Sequence, residues 1–265
     1  MDLKLKDKLA IVTGATTGIG KVAAAELLKE GARVVITGAR AQNLVDAVTD
    51  ELAKFGKVYG VSGDISKPAG TQAIIEFADK LGDVDILVNN AGLIYHNLKF
   101  EDITEQEWSD MLNTNIMGAV RLSQHYLPKM LARNYGRILV VSSEVGLKPV
   151  GDRVHYSVSK TALIGLARAM AELTKGSRVT VNSILPGPTL TDGAIEAHKV
   201  RGAMLNMSWE ESIATTFDTD EPTSLIRKFS GPEEIAATIA YYCSELSSAT
   251  NGARIMCEGG IVRHI

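Results

Sequence analysis

The sequence is poor in cysteine, and it has neither a block of like charge nor a long apolar run. Only Cys243 and Cys257 occur among its 265 residues, and they form no Cys-x-x-Cys pair. We expect both thiols to be reduced and the protein to be cytoplasmic, because disulfides persist mainly in oxidising compartments. The net charge is only -3 and no stretch is strongly basic, so we expect no nucleic-acid partner.

A membrane anchor and an export signal are not expected either. No apolar stretch approaches the roughly 20 residues that are needed to cross a bilayer. Residues 1–8 alternate charged and apolar side chains and contain no apolar core of signal-peptide length. The five histidines are scattered without the carboxylate or cysteine spacing of a metal site, so we expect no metal.

What the sequence does contain favours one large α/β domain. Hydrophobic residues make up 45% of the chain, which is enough for one core, and we predict a single domain over residues 1–265.

Short runs rich in Val and Ile alternate with helical patterns, as in parallel sheets whose strands are buried on both faces. Strands are predicted over 9–13, 33–37, 57–61, 85–89, 137–142, 179–185 and 253–257. Helices are predicted over 21–30, 43–55, 72–81, 105–133, 156–174 and 232–244. Since the crossover connections of repeated βα units are right-handed, we predict a Rossmann-type, doubly wound parallel sheet of about seven strands with helices on both faces.

Residues 188–230 interrupt this alternation and have no clean period. A long insertion between a strand and a helix is more often a lid over a site than a structureless loop. We therefore predict a substrate lid within about 188–230. The candidate walls of a mainly apolar substrate pocket are 93–96, 144–147, 150–155 and the lid residues Met204, Met207 and Trp209.

A glycine-rich turn follows the first predicted strand. Gly14, Gly18 and Gly20 allow a sharp turn and a close approach of a ligand to the backbone. The free N–H groups at the start of the next helix suit a pyrophosphate. A plain tight turn would also use glycine, but the position between the first strand and the first helix indicates phosphate binding.

The motif Thr-Gly-x-x-x-Gly-x-Gly at 13–20 resembles that of the short-chain dehydrogenase/reductase family, and more specifically its 3-oxoacyl-carrier-protein-reductase-like subgroup. Further motifs agree in order and spacing over nearly the whole chain. They are Asp64, Asn89-Asn90-Ala91-Gly92, Asn115, Ser143, Tyr156-x-x-x-Lys160 and Pro186-Gly187. The resemblance implies an NAD(P)(H)-dependent oxidoreductase that interconverts a secondary alcohol and a ketone.

The resemblance also implies which residues contact the cofactor. They are Gly14, Thr16, Thr17, Gly18, Ile19, Gly20, Arg40, Asp64, Ile65, Asn90, Ala91, Gly92, Tyr156, Lys160, Pro186, Gly187, Thr189 and Thr191. Asp64 would lie by the adenine amino group, although it could simply cap a turn. Thr189 and Thr191 would hold the nicotinamide carboxamide, or they could cap the next helix.

The choice between the two nicotinamide cofactors depends on the end of the second strand. NAD-specific relatives tend to carry an acidic residue there, but this chain has Gly38 and no carboxylate from 36 to 40. Arg40 could pair with a 2′-phosphate, since its planar fork suits phosphate oxygens. NADP enzymes often place this arginine one residue earlier, where Ala39 stands, and many have a basic residue at Thr17. We expect NADP(H) in preference to NAD(H).

Tyr156 and Lys160 are four residues apart, so they share one face of a helix. A nearby ammonium group favours the phenolate and would lower the tyrosine pKa from about 10 towards neutrality, as acid–base catalysis requires. The resemblance makes Tyr156 the proton donor to the carbonyl and Lys160 a ligand of the nicotinamide ribose. It makes Ser143 a hydrogen-bond partner of the substrate oxygen, and Asn115 the ligand of a proton-relay water. Each residue alone could be an ordinary core, cap or surface residue.

Relatives usually form tetramers, and we expect a homotetramer. The small residues Ala162, Gly165 and Ala169 form a stripe on the Tyr156 helix that would pack closely on the sheet or on a partner subunit. The apolar tail 259–265 could dock on a neighbour. Two other functions stay open: a non-redox enzyme on the same scaffold, such as a dehydratase or epimerase, and a cofactor-sensing module without turnover.

Overall fold

A computed structural model describes residues 2–95 and 99–263. Its seven strands are β1 Leu9–Val12, β2 Arg33–Gly38, β3 Val58–Ser62, β4 Ile86–Asn89, β5 Gly136–Val141, β6 Val179–Pro186 and β7 Arg254–Cys257. The main helices are α1 Gly18–Lys29, α2 Gln42–Leu52, α3 Pro68–Asp79, α4 Glu105–Leu112, α5 Gly118–Ala132, α6 Val154–Glu172, α7 Asp192–Leu205, α8 Trp209–Thr219 and α9 Pro232–Cys243.

The strands form one parallel sheet in the order β3-β2-β1-β4-β5-β6-β7. One face is covered by α1, α2 and α9, whose buried side chains form a cluster with alternate residues of the strands. The other face is covered by α3, α5 and α6. The predicted doubly wound Rossmann-type fold is confirmed, and the strand order reverses between β1 and β4, where such folds bind ligands.

The strand bounds match the prediction to within one residue, but some helices differ. α3 begins at Pro68 rather than Gln72, because proline fits the first turn of a helix. α1 begins at Gly18, inside the glycine turn itself.

The segment predicted to be helical over 105–133 is helical over Glu105–Ala132, but it is not one regular α-helix. It is divided into α4 and α5 by a π-helical turn over Asn113–Met117. Such turns are frequent at functional sites, and this one contains Asn115, which was predicted to belong to the site.

The irregular segment 188–230 contains two helices, α7 and α8. Thr191 caps α7, and Ser208 with Glu211 forms a capping box at the start of α8. Gly202 is the buried residue of α7, so this helix has almost no apolar face, which explains its weak period in the sequence.

The cysteines and the tail also have defined positions. Cys243 is buried, Cys257 is half-buried, and both thiols are free. Ile261 is buried within its own chain, where the Glu258 carboxylate accepts hydrogen bonds from the backbone N–H groups of Ile261 and Val262. The part of the predicted docking tail at 264–265 lies outside the described residues. Within the described part of the chain, no helix has both the length and the apolar character that a bilayer crossing requires.

Candidate active site

A cleft of about 1100 Å³ opens at the carboxyl ends of the strands, across the β1–β4 reversal. Nearly all the predicted site residues line it. They are Gly14, Thr16, Thr17, Gly18, Ile19, Arg40, Asp64, Ile65, Asn90, Ala91, Gly92, Ser143, Tyr156, Lys160, Pro186, Gly187, Thr189 and Thr191. Gly20 and Asn115 lie behind the lining.

The three glycines of the first turn have different physical roles. Gly14 and Gly18 have φ values of 62° and 56°, a region that residues with a Cβ atom avoid. A Cβ on Gly14 would lie 2.7 Å from the Ala91 Cα, and one on Gly20 would lie 2.6 Å from the Gly14 carbonyl oxygen. Gly14 therefore allows the turn to pack against the residue after Asn90, and Gly20 leaves room for the Gly14 carbonyl and the Asn90 amide, whereas Gly18 faces the cleft at the start of α1.

Asn90 and Thr13 connect the glycine turn to the end of β4. The Asn90 side-chain amide donates to the backbone oxygens of Thr13 at 2.9 Å and Gly14 at 3.3 Å. The Thr13 hydroxyl in turn accepts hydrogen bonds from the backbone N–H groups of Asn90 and Ala91, both at 3.0 Å. The turn is thus held in shape by the chain's own hydrogen bonds before any ligand binds.

Three predicted cofactor contacts also have structural partners. Asp64 accepts hydrogen bonds from the backbone and the hydroxyl of Ser66, at 3.0 and 2.6 Å, which helps to hold its pKa below the ordinary value. Thr191 caps α7 by accepting from the Ala194 N–H at 3.2 Å, and the Thr189 hydroxyl donates to the Gly187 carbonyl at 2.9 Å. Turn-forming and capping roles are therefore real for these residues, and each also faces the cleft.

The end of β2 packs closely against Thr16, which would have to move to admit a side chain at Gly38. A Cβ on Gly38 would lie 2.8 Å from Thr16 Cγ2. Arg40 is exposed at the cleft rim, and its backbone carbonyl accepts a hydrogen bond of 2.6 Å from the Ser62 hydroxyl. The chain thus presents a cation, and no carboxylate, at this edge of the cleft.

Ser143, Tyr156 and Lys160 meet on the opposite side of the cleft. Ser143 follows β5, and the other two lie on one face of α6. The Lys160 Nζ donates to the Val141 carbonyl at 3.0 Å and lies 5.4 Å from the centre of the Tyr156 ring.

The pKa of Tyr156 differs in direction from the sequence prediction. Burial raises it well above its ordinary value, the charge of Glu144 raises it further, and Arg153 and Ser143 lower it in part. Lys160 is not among the groups that lower it. Burial also lowers the pKa of Lys160 to about 8, and the charge of Glu144 acts in the opposite direction.

Asn115 is buried in the π-helical turn and contacts two elements of the site. Its side-chain amide donates to the Leu93 carbonyl at 3.0 Å and to the Ser159 hydroxyl at 2.9 Å. Its side-chain oxygen accepts from the Leu93 N–H at 2.6 Å. Asn115 therefore fixes the segment after β4 relative to α6, the helix that carries Tyr156 and Lys160.

Sequence reasoning missed the importance of Glu144, which it treated only as part of a pocket wall. Glu144 lines the cleft, is buried, and is hydrogen-bonded to the Ser143 hydroxyl. Burial raises the pKa of its carboxyl group. The only sequence signal was its position directly after Ser143 at the end of a buried strand.

The segment 188–230, predicted to be a lid, lines the cleft with residues other than those predicted. Met204, Met207 and Trp209 lie outside the lining. Met204 is on α7, which turns its other side towards the cleft, whereas Met207 follows α7 and Trp209 begins α8. The lining residues from this segment include Ala197, His198, Val200, Arg201, Thr216, Asp220, Glu221 and Phe229.

The predicted wall over 150–155 is also only partly correct. Asp152 and Arg153 line the cleft, but His155 is buried behind it, where its ring stacks on Tyr95 at 5.7 Å between ring centres. His96, from the predicted wall 93–96, lies outside the described residues.

Known proteins similar to this chain cover its whole length. The family model described as short chain dehydrogenase matches residues 8–201. The chain is 47% identical to YvrD, an uncharacterised oxidoreductase of Bacillus subtilis, over 100% of both chains. It is 33% identical to the 3-oxoacyl-[acyl-carrier-protein] reductase FabG of Aquifex aeolicus, over 98% of this chain and 100% of that protein. The crystal structure of L-sorbose reductase from Gluconobacter frateurii, complexed with NADPH and L-sorbose, matches with a TM-score of 0.93 at 29% identity over 100% of both chains.

Proposed function

The chain belongs to the short-chain dehydrogenase family and is an oxidoreductase that interconverts a secondary alcohol and a ketone with a nicotinamide cofactor; from this premise we propose which of its residues carry the reaction. Tyr156 gives a proton to the ketone oxygen in reduction and takes it back in oxidation. Ser143 hydrogen-bonds the same oxygen. The observation that supports this best is the meeting of Ser143, Tyr156 and Lys160 in one cleft with the glycine turn.

The residues of the cleft fit a dinucleotide. The absence of a side chain at Gly18, and the backbone N–H groups at the start of α1, suit a pyrophosphate. When bound, the cofactor supplies the hydride. Lys160 would bind the ribose next to the nicotinamide, and Asn115 would hold a water that exchanges protons with Lys160. Thr189 and Thr191 would orient the carboxamide.

We propose NADP(H) as the preferred cofactor. Arg40 would pair with the 2′-phosphate, and residues 36–40 contain no carboxylate that would repel it. Asp64 would accept a hydrogen bond from the amino group at the adenine end of the cofactor. The bound NADPH of the Gluconobacter L-sorbose reductase supports the same preference.

We further propose that the substrate is a neutral, hydroxylated ketone, covered by a lid within about 188–230. Two arginines line the part of the cleft that would bind the substrate, and both already have carboxylate partners. Arg153 pairs with Asp152 at 3.3 Å, and Arg201 pairs with Asp220 at 3.0 Å. An anionic substrate would have to compete with these pairs, whereas hydroxyl groups could bind to them. The L-sorbose in the complex of the Gluconobacter enzyme is a substrate of this class.

The assembly is proposed to be a homotetramer of single-domain subunits spanning 1–265 in the cytoplasm. Ala162, Gly165 and Ala169 are all exposed on α6, and a Cβ on Gly165 would meet no atom within 4 Å. This stripe does not pack on its own sheet, which supports contact with another subunit. Light scattering that shows a monomer at micromolar concentration would contradict the tetramer.

The test is a panel assay that follows nicotinamide absorbance with NADPH and with NADH. The panel contains a neutral ketose, a keto acid, an acyl thioester and an apolar ketone. We expect the fastest oxidation of NADPH with the ketose. A faster reaction with the keto acid or the thioester would contradict the substrate class, and faster oxidation of NADH would contradict the cofactor preference.

A further inference from the structure

Glu144 is a buried carboxyl group in the cleft to which the proposed reaction gives no role. Its side chain is hydrogen-bonded to the Ser143 hydroxyl, and the residue is only 8% exposed. Among the residues that the structure describes, no lysine, arginine or histidine forms an ion pair with it. The two cations whose charges act on it have other partners: Lys160 donates to the Val141 carbonyl and Arg153 pairs with Asp152.

The hydrogen bond to Ser143 matters because a serine hydroxyl has one proton. If Glu144 is ionised, its carboxylate accepts that proton, and Ser143 can no longer donate to a substrate oxygen. If Glu144 is protonated, its own O–H can donate to Ser143 Oγ, and the serine proton is then free for the substrate. The protonation state of Glu144 therefore decides in which direction Ser143 donates.

The surroundings of Glu144 favour its neutral form. Charged and titratable groups face it from three directions: Tyr156 and Lys160 on α6, Arg153 before α6, and Glu221 after α8. Burial is the largest influence and raises the pKa of Glu144, Glu221 raises it further, and Ser143 and Arg153 lower it in part. A buried carboxylate without an ion-pair partner is costly, so these surroundings shift Glu144 towards its neutral form.

We propose that Glu144 is a positioning residue that, as a neutral acid, donates to Ser143 Oγ and so directs the serine proton towards the substrate oxygen. The proposal rests on the proposed role of Ser143. Glu144 keeps its proton throughout the reaction, so Tyr156 remains the only side chain that exchanges a proton with the substrate. Loss of the Glu144 proton at higher pH reverses the hydrogen bond and slows ketone reduction.

The matched variants are Glu144→Gln and Glu144→Leu. The glutamine is neutral at every pH and its amide can donate to Ser143, whereas the leucine has a similar volume and cannot. At saturating NADPH and low pH we expect Glu144→Gln to keep kcat within about threefold and Glu144→Leu to lose about tenfold, the effect of one hydrogen bond. The alkaline decrease of kcat should lie at higher pH in Glu144→Gln than in the wild type.

A double-mutant cycle with Ser143→Ala separates this role from a structural one. If Glu144 acts through Ser143, Glu144→Leu should cost less than about twofold more in the Ser143→Ala background. An equal tenfold loss in both backgrounds, or identical pH profiles for the wild type and Glu144→Gln, would overturn the inference. Wild-type kcat in Ser143→Ala alone would instead contradict the proposed function. Titration of NADPH fluorescence in each variant, with unchanged affinity, shows that the cleft is folded.

Discussion

The ammonium group of Lys160 lies 5.4 Å from the centre of the Tyr156 ring and donates its hydrogen bond to the Val141 carbonyl rather than to the phenol. The two residues are neighbours on α6, but burial dominates the pKa of each, raising that of Tyr156 and lowering that of Lys160 to about 8. The protonation of each residue therefore depends on its burial more than on the charge of the other.

The first prediction concerns the pH dependence of cofactor binding. Because the pKa of Lys160 is lowered to about 8, its ammonium form is lost as the pH rises through that value. We expect the affinity for NADPH to decrease as the pH rises from one unit below this value to one unit above it, since an uncharged amine binds the ribose hydroxyls less well. Fluorescence titration of NADPH over this range measures the effect. Lys160→Met is the control, and we expect it to bind NADPH weakly with an affinity that does not change over this pH range. A constant wild-type affinity over the same range would contradict the prediction.

The second prediction is the loss of the proton donor. Tyr156→Phe removes only the phenol oxygen, so we expect kcat to decrease by about 100-fold or more while the Kd of NADPH changes by less than about twofold. Steady-state kinetics and fluorescence titration measure the two quantities. Tyr95→Phe is the matched control, because Tyr95 stacks on His155 outside the lining of the cleft. Normal turnover by Tyr156→Phe would remove Tyr156 from the reaction.

The sheet could be predicted from the sequence because its strands are buried on both faces. The residues of β1, for example, are all buried and apolar, and β5 continues after Arg137 as the apolar run 138–141, so the ends of these strands are easy to locate. The site motifs were equally visible because backbone geometry requires particular residue types, as at Gly14, where a Cβ would collide with Ala91.

Other features depend on contacts that the sequence does not contain. The π-helical turn at Asn115 has no signal of its own in the helical pattern of 105–133. The orientation of α7, which turns Met204 away from the cleft, depends on tertiary packing rather than on periodicity. The burial of Glu144 was invisible for the same reason, since a glutamate after a strand is ordinarily exposed.

The third prediction concerns the choice of cofactor. Arg40→Ala should raise the Kd of NADPH by about tenfold or more and that of NADH by less than about twofold, because only NADPH carries the phosphate that this cation would bind. Arg168→Ala is the control, since Arg168 is exposed on α6 and pairs with Glu172. If Arg40→Ala weakened the binding of NADPH and NADH equally, Arg40 would act only on the shape of its loop. The hydrogen bond from the Ser62 hydroxyl to the Arg40 carbonyl holds that loop.

The last prediction tests a buried cation far from the cleft. Arg137 lies near the start of β5 and is 1% exposed, and burial lowers its pKa. Its guanidinium donates to the carbonyls of Ser244 at 3.0 Å, Gly136 at 2.9 Å and Arg178 at 2.8 Å, and to the Ser248 hydroxyl at 2.9 Å. It thereby connects the sheet to the end of α9 through neutral acceptors alone.

Arg137→Met fills a similar volume but leaves these buried acceptors without donors, so we expect a loss of about 3 kcal/mol in the free energy of unfolding. Denaturant unfolding at a fixed protein concentration measures it. Arg178→Met is the control: that side chain is 64% exposed, and its ion pair with Glu245 should contribute less than about 1 kcal/mol. Because Arg137 lies at the end of β5 opposite the cleft, kcat of the folded variant should stay unchanged at low temperature. Equal stability of the two variants would show that the carbonyls find other donors, and a lower kcat would show that this end of the sheet also shapes the site.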